Sequence, residues 1–173
     1  MELNRDVALL ILRMVVGLLF VGHGAQKLFG WFGGTGLDQY VSQMRRMNVH
    51  PSALWATLSA CSEFFGGLGF AVGLLTPVAA AALIGTMLVA AVRVHLPKGL
   101  WNTKGGFEFP LVMATVALCV GLAGPGSYAL DTLLDLALPV STFVVVLVLV
   151  LLSAGASLLP IPSHEGRTQQ RPL

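Results

Sequence analysis

Five apolar runs, at residues 7–29, 54–75, 77–97, 108–123 and 139–160, succeed one another along the chain. A helix needs about 20 mostly apolar residues to cross a hydrocarbon core of about 30 Å. Inside that core each backbone N–H and C=O must be satisfied within its own segment or in a closed barrel. Runs of this length therefore predict an all-α integral membrane protein. The composition agrees: 55% of the 173 residues are hydrophobic, 10% are charged and the mean hydropathy is +0.82, far from the balance of a soluble domain.

The fourth run is short, but Pro110 suits the first turn of a helix. The breaks fall at Gly33-Gly34-Thr35-Gly36, Thr76-Pro77, Pro97-Lys98-Gly99 and Gly124-Pro125-Gly126, all of them turn chemistry. The first run carries Arg13 and ends in His-Gly-Ala-Gln-Lys, so a retained helix is expected rather than a cleaved signal peptide. Between the first two spans, residues 37–49 place Leu37, Tyr40, Val41, Met44 and Met47 at helical spacing. That pattern predicts an amphipathic segment on the membrane surface or beneath the bundle. Residues 161–173 are polar and are expected to form a disordered tail.

The net charge of +2 gives no reason to expect nucleic-acid binding; in a membrane protein the placement of charge matters more. Arg45, Arg46, Lys98, Lys104, Arg167 and Arg171 fall on one side of a five-span topology, and the 124–138 loop opposite holds Asp131 and Asp135. Loop Lys and Arg favour the cytoplasm, which predicts the N-terminus outside and the C-terminus inside, in a bacterial inner membrane. Cys61 and Cys119 lie in apolar runs with no CxxC pair and no metal-ligand spacing. They read as small hydrophobes, or as one bond between the second and fourth helices. No metal site is expected.

Ionisable residues inside a bilayer are costly, and each is by default a candidate for function. Here they are Arg13, His23, Lys27, Glu63, Arg93, His95 and Glu108, with Gln26 beside them. Arg13, Phe20 and Lys27 recur at a spacing of seven, with Gly17 and Gly24 on the same stripe and His23 at its edge. Ser59, Glu63, Gly66, Gly67 and Phe70 make a similar stripe in the second helix. Glycine-lined stripes allow close helix approach, so the two polar faces are expected to meet. His23 and Lys27 lie about 24 to 30 Å along a helix entered from outside, which puts them with Glu63, Arg93, His95 and Glu108 in the cytoplasmic half. Arg13 stands near the outer boundary, within reach of Asp131, Asp135 or a headgroup.

Lys27, Glu63 and His23 are the leading candidates for chemistry, with His95, Glu108, Arg93, Gln26 and Trp101 as substrate contacts and Arg13 and Asp131 as outer-side polar residues. Such a set can bind an anion, bind the two carbonyl oxygens of a quinone head, or relay protons. Each residue also has a plainer role. Lys27 and Arg93 can snorkel to headgroups, Glu108 can favour a helix N-terminus, and His95 can be interfacial. Glu63 has the least room for one, being mid-helix. A haem held by His23 and His95 is a disfavoured option, because nothing else in the sequence asks for it.

The strings RMVVGLLFVGHGAQKLFG, SEFFGGLGFAVGLLTPVAAAAL, VRVHLPKGLWNTKGGFEFPLV and GPGSYALD together resemble the DoxX family of small bacterial membrane proteins, from about residue 9 to about residue 135. The resemblance implies a four-helix membrane domain over 1–137, with 138–160 as an additional C-terminal transmembrane helix. It further implies a redox-linked membrane subunit, as part of a quinone-linked oxidoreductase, acting on a quinone or a small anionic sulfur compound. A soluble redox partner and a homodimer are in keeping with it. Relatives in the wider superfamily that look like cargo receptors imply the alternative, a non-catalytic adaptor that anchors a soluble protein. Thr76-Pro77 stands where many members carry a basic residue, which speaks against an anion contact there.

Overall fold

A computed structural model describes residues 2–136 and 138–158, and among them every regular element is helical. The elements are α1 (Glu2–Phe29), α2 (Gly36–Arg46), α3 (Ser52–Cys61), α4 (Gly67–Val72), α5 (Thr76–Ala90), α6 (Glu108–Ala123), α7 (Leu130–Leu133) and α8 (Val140–Leu158). A π-turn, Ser62–Gly66, joins α3 to α4 without a break in helical direction, and a second, Ala91–His95, extends α5. Three stretches are long and apolar enough to cross a membrane, Leu3–Phe29, Thr76–Lys98 and Val140–Leu158; α6 is a shorter apolar helix. With the α3–α4 rod they form a four-helix bundle and one added C-terminal helix. The expected tail at 161–173 lies outside the described residues.

The central helix is α5. Its Ala79, Ala80, Ala81, Leu83, Gly85, Thr86 and Met87 are all buried, and it packs against the first π-turn, α6 and α8. Small residues let backbones approach closely where lipid supplies no hydrophobic drive. Gly85 is one such point, since a Cβ there would overlap Val150 of α8. The core around α5 is built from Phe20, Phe70, Leu83, Met113, Val120 and Phe143.

The glycine stripes of α1 and α4 do meet. A Cβ on Gly17 would lie 2.6 Å from the Gly67 carbonyl oxygen, and one on Gly67 would lie 2.8 Å from the Gly17 carbonyl oxygen. Gly24 sits in the same way against the backbone of Phe64. Gly22, by contrast, faces open space. Gly17→Leu is therefore expected to destabilise by about 1–3 kcal/mol or more, the usual cost of overpacking, and Gly22→Leu to leave the thermal midpoint in detergent unchanged.

One turn differs from expectation. The break before the third span is Gly73-Leu74-Leu75, with Gly73 and Leu75 left-handed, and Thr76-Pro77 already belongs to α5. Proline is tolerated in that first turn, where its missing N–H is not needed. Of the two placements expected for the amphipathic segment, the structure has the one packed against the bundle. Tyr40 and Met44 of α2 are buried against α3 and α1, while Arg45 and Arg46 are exposed. Cys61 and Cys119 are both free thiols.

Candidate functional site

The C-terminal end of α1, the first π-turn, α2 and the second π-turn enclose a chamber of about 410 Å³. His23, Gln26, Lys27, Glu63, Arg93 and His95 all line it. Its mouth is rimmed by the exposed Gly33, Thr35 and Gln43. A cluster of exposed aromatics, Phe29, Trp31, Phe32 and Phe65, surrounds this end of the bundle. Trp31 among them is of the residue type enriched at the headgroup level of a bilayer.

Each π-turn brings ionisable residues to the chamber: Glu63 in the first, Arg93 and His95 in the second. A π-turn inserts a residue and rotates the phase of the residues after it, and such bulges recur at functional sites. Glu63 is 1% exposed and accepts a hydrogen bond from Lys27 Nζ at 2.5 Å. Lys27 Nζ also stands 4.9 Å from the centre of the Tyr40 ring, a favourable cation–π arrangement. The Tyr40 hydroxyl and Ser59 Oγ are 3.1 Å apart and share a hydrogen bond. Glu63 Oε2 is buried and has no hydrogen-bond partner among the described residues.

The remaining residues are held from different sides. His95 Nδ1 is 2.7 Å from the Gly105 carbonyl, which can only accept, so the proton sits on Nδ1 and Nε2 is left free. His23 packs edge-on to Phe109 with ring centres 5.6 Å apart. Gln26 Nε2 donates to the Phe32 carbonyl at 3.3 Å and so shapes the rim. Arg93 donates to the carbonyls of Met47, at 3.5 Å, and Ser157, at 3.1 Å, tying the end of α2 to the last turn of α8. Cations suit that helix terminus.

Two expected contacts are absent from the chamber. Glu108 turns to its own connecting loop, where Oε2 accepts the Asn102 N–H at 2.8 Å. Trp101 is 63% exposed and does not line the cavity. Tyr40, Ser59 and Thr86 do line it, and of these only Tyr40 and Ser59 stand out in sequence, as face-forming positions of their helices.

At the opposite end Arg13 is fully buried and donates to the Tyr128 carbonyl at 2.7 Å. Burial rules out a headgroup contact. Asp131 is not its direct partner: both carboxylate oxygens are taken by backbone N–H groups at the start of α5, Leu75 at 2.7 Å and Thr76 at 2.8 Å. Asp135 is exposed. Arg13 and Asp131 thus close the end of the bundle opposite the chamber.

The DoxX family profile matches residues 8–96, which takes in α1 to the second π-turn and nearly all of the chamber. The chain belongs to the DoxX family. It is also 30% identical over 135 residues to the inner membrane protein YqjF of Escherichia coli strain K12, an alignment covering 78% of this chain and 98% of that protein. No solved structure matches the chain. The DoxX match stops before α6 and α8, so the C-terminal helix of this member lies outside the matched region.

Proposed function

We propose that this DoxX protein is a redox-linked subunit of a bacterial inner membrane, and that its chamber binds the head of a quinone or a small anionic, sulfur-containing substrate. The observation that carries the reading is the Lys27–Glu63 pair. It sets two Lys27 protons not used by Glu63 beside a buried carboxylate oxygen without a partner, inside a cavity at the membrane boundary. An ammonium group has three donors, so Lys27 can hold Glu63 and still donate to a carbonyl or oxyanion oxygen. Glu63 Oε2 can accept from a hydroxyl. A donor and an acceptor side by side suit both states of a quinone, whose oxygens accept when oxidised and donate when reduced. His95, fixed through Nδ1, offers Nε2 for proton transfer, and His23 stands across the cavity. A bound quinone would supply two-electron chemistry; the protein's own groups bind, orient and move protons. The basic loops support a C-terminus inside, which turns the chamber mouth to the cytoplasm.

Titrating a short-chain quinone into the full chain in nanodiscs, followed by tryptophan fluorescence, tests this. Lys27→Met/Glu63→Gln, which removes both charges together, is expected to weaken binding at least about tenfold, or 1.4 kcal/mol. Unchanged affinity contradicts the reading. The exposed Arg45 and Arg46 at the end of α2 favour a second one, an adaptor that docks a soluble protein. In that case Arg45→Glu/Arg46→Glu abolishes co-purification of the partner and the chamber variant does not.

A further inference from the structure

Trp101 has no part in the chamber, yet the loop that carries it, residues 96–107, is built to hold it in place. The N–H groups of Lys104 and Gly106 both donate to the Trp101 carbonyl at 3.0 Å, and those of Phe107 and Glu108 return to the Gly99 and Leu100 carbonyls at 3.1 and 2.9 Å. Gly106 packs so closely on the backbone of Gly99 and Leu100 that a Cβ there would overlap it. Glu108 Oε2 accepts the Asn102 N–H, and the Gly105 carbonyl holds Nδ1 of His95. Mobile loops leave their backbone groups to water; this one is closed on itself. Its outward side is apolar: Leu96 is 55% exposed, Leu100 40% and Trp101 63%. Lys98 and Lys104 on the same loop are exposed and form no ion pair among the described residues.

Helix length sets the level of this surface. α6 has 16 residues, about 24 Å at 1.5 Å per residue, against a hydrocarbon core of about 30 Å. Its far end is fixed among polar groups at the end of the bundle opposite the chamber. There Arg5 donates to the Ala123 carbonyl at 2.9 Å, and Ser127 donates to Asp6 at 2.6 Å. Charges of that kind belong at the headgroup level, so the shortfall of about 6 Å falls at the chamber end. Glu108, and Leu100 whose carbonyl it bonds, therefore lie below the headgroups, and the apolar side of the loop meets lipid rather than water. Short spans are accommodated by a thinner bilayer and by snorkelling of the flanking residues. Two lysine stems beside exposed leucines suit the second.

We propose that the 96–107 loop is a binding surface for anionic phospholipid, with Leu96, Leu100 and Trp101 seated where acyl chains meet headgroups and Lys98 and Lys104 on the phosphates. Charge selects this occupant over a zwitterionic lipid. The acid next to the loop, Glu108, is turned in to the Asn102 N–H, and each lysine favours an anionic surface about fivefold. Depth selects it over a soluble protein, which would have to reach below the headgroups to cover Leu100 and Trp101. The contact bears on the chamber as well. Gly105 belongs to this loop and holds His95, a chamber residue, so lipid that settles the loop also fixes one wall of the chamber, whatever ligand the chamber takes.

The test places the full chain in nanodiscs and reads the fluorescence of Trp101, with the other two tryptophans replaced as Trp31→Phe and Trp55→Phe. The probes are phosphatidylglycerol and phosphatidylcholine, each brominated on the acyl chains close to the headgroup and diluted into unlabelled phosphatidylcholine. Brominated phosphatidylglycerol is expected to quench Trp101 at a fraction at least about fivefold lower than brominated phosphatidylcholine. Lys98→Gln/Lys104→Gln is expected to bring the two to parity, and Lys98→Arg/Lys104→Arg to keep them apart. Equal quenching by both lipids with the lysines in place overturns the anionic preference, and no quenching by either overturns the seat in the bilayer. Native mass spectrometry of the chain with all its tryptophans, released from a mixture of the two unlabelled lipids, covers the case of a tryptophan background that does not fold. Retained phosphatidylglycerol is expected there, lost in Lys98→Gln/Lys104→Gln. Retention that ignores the loop lysines overturns the proposal.

Discussion

Lys27→Met is expected to lower stability by about 3–5 kcal/mol, the usual cost of removing one partner from a buried ion pair. Glu63→Gln is expected to cost clearly less. The asymmetry comes from geometry: the Glu63 side chain is 1% exposed and the Lys27 side chain 24%. Without Lys27 the buried carboxylate has no cation in contact. Without the Glu63 charge, Lys27 retains the face of Tyr40 and can reach the chamber mouth. The double variant Lys27→Met/Glu63→Gln is expected to recover most of the loss, because replacing both members of a buried pair is often near neutral. Thermal midpoints in one detergent, read by light scattering or size exclusion, check all three. A double variant less stable than either single one would mean that the pair holds the fold together rather than being held by it. It would also undermine the use of that variant to separate binding from folding.

The second large effect is placed at the other end of the bundle. Asp131→Ala leaves the Leu75 and Thr76 N–H groups without their acceptors, and both hydrogen bonds are charge-assisted. Hydrogen bonds to charged groups contribute about 1.5–3 kcal/mol each, so a loss of about 3 kcal/mol or more is expected. Asp131 also donates its own N–H to the Gly73 carbonyl at 2.8 Å, which places it in the left-handed Gly73–Leu75 turn. Asp131→Asn keeps one carbonyl acceptor and is expected to fall between Asp131→Ala and the unmodified protein, and Asp135→Asn, at an exposed position whose left-handed backbone Asn also tolerates, is expected to change nothing. Quinone binding by Asp131→Asn should match the unmodified protein once both are folded. A binding defect in that variant with a normal thermal midpoint would show that the end opposite the chamber takes part in ligand binding.

How far the sequence foretells this arrangement depends on whether local rules hold at a given residue. The glycine stripe of α1 and its partner in α4 are legible because close approach depends on side-chain size alone, and size can be read directly. Lys27 and Glu63 are legible as a pair because helical rise gives their depth and the stripes give their facing. α6 begins at Glu108 as expected because Pro110 fixes its first turn. The failures come where phase or long-range bonding intervenes. Two π-turns rotate Glu63, Arg93 and His95 relative to a regular helix, and nothing in a pattern of period 3.6 announces them. Glu108 sits at the right depth for the chamber but finds a nearer donor in Asn102. Asp131 is at the right depth for Arg13, yet the free N–H groups of α5 claim both of its oxygens. The contribution of α2 is half visible: its apolar face is plain, but whether lipid or the bundle covers that face is decided by the fold of the 30–52 connection.

The central claim, that the chamber binds a quinone head, is tested most directly by photolabelling. An azidoquinone with a ten-carbon tail is irradiated with the full chain in nanodiscs, and the adducts are mapped by peptide mass spectrometry. The account predicts adducts within residues 23–44, 59–63 and 86–95, suppressed by excess unlabelled quinone and absent in Lys27→Met/Glu63→Gln. Adducts confined to outward-facing residues such as Val145, Leu149 and Leu152, which are exposed on α8, and unaffected by competitor, would contradict it.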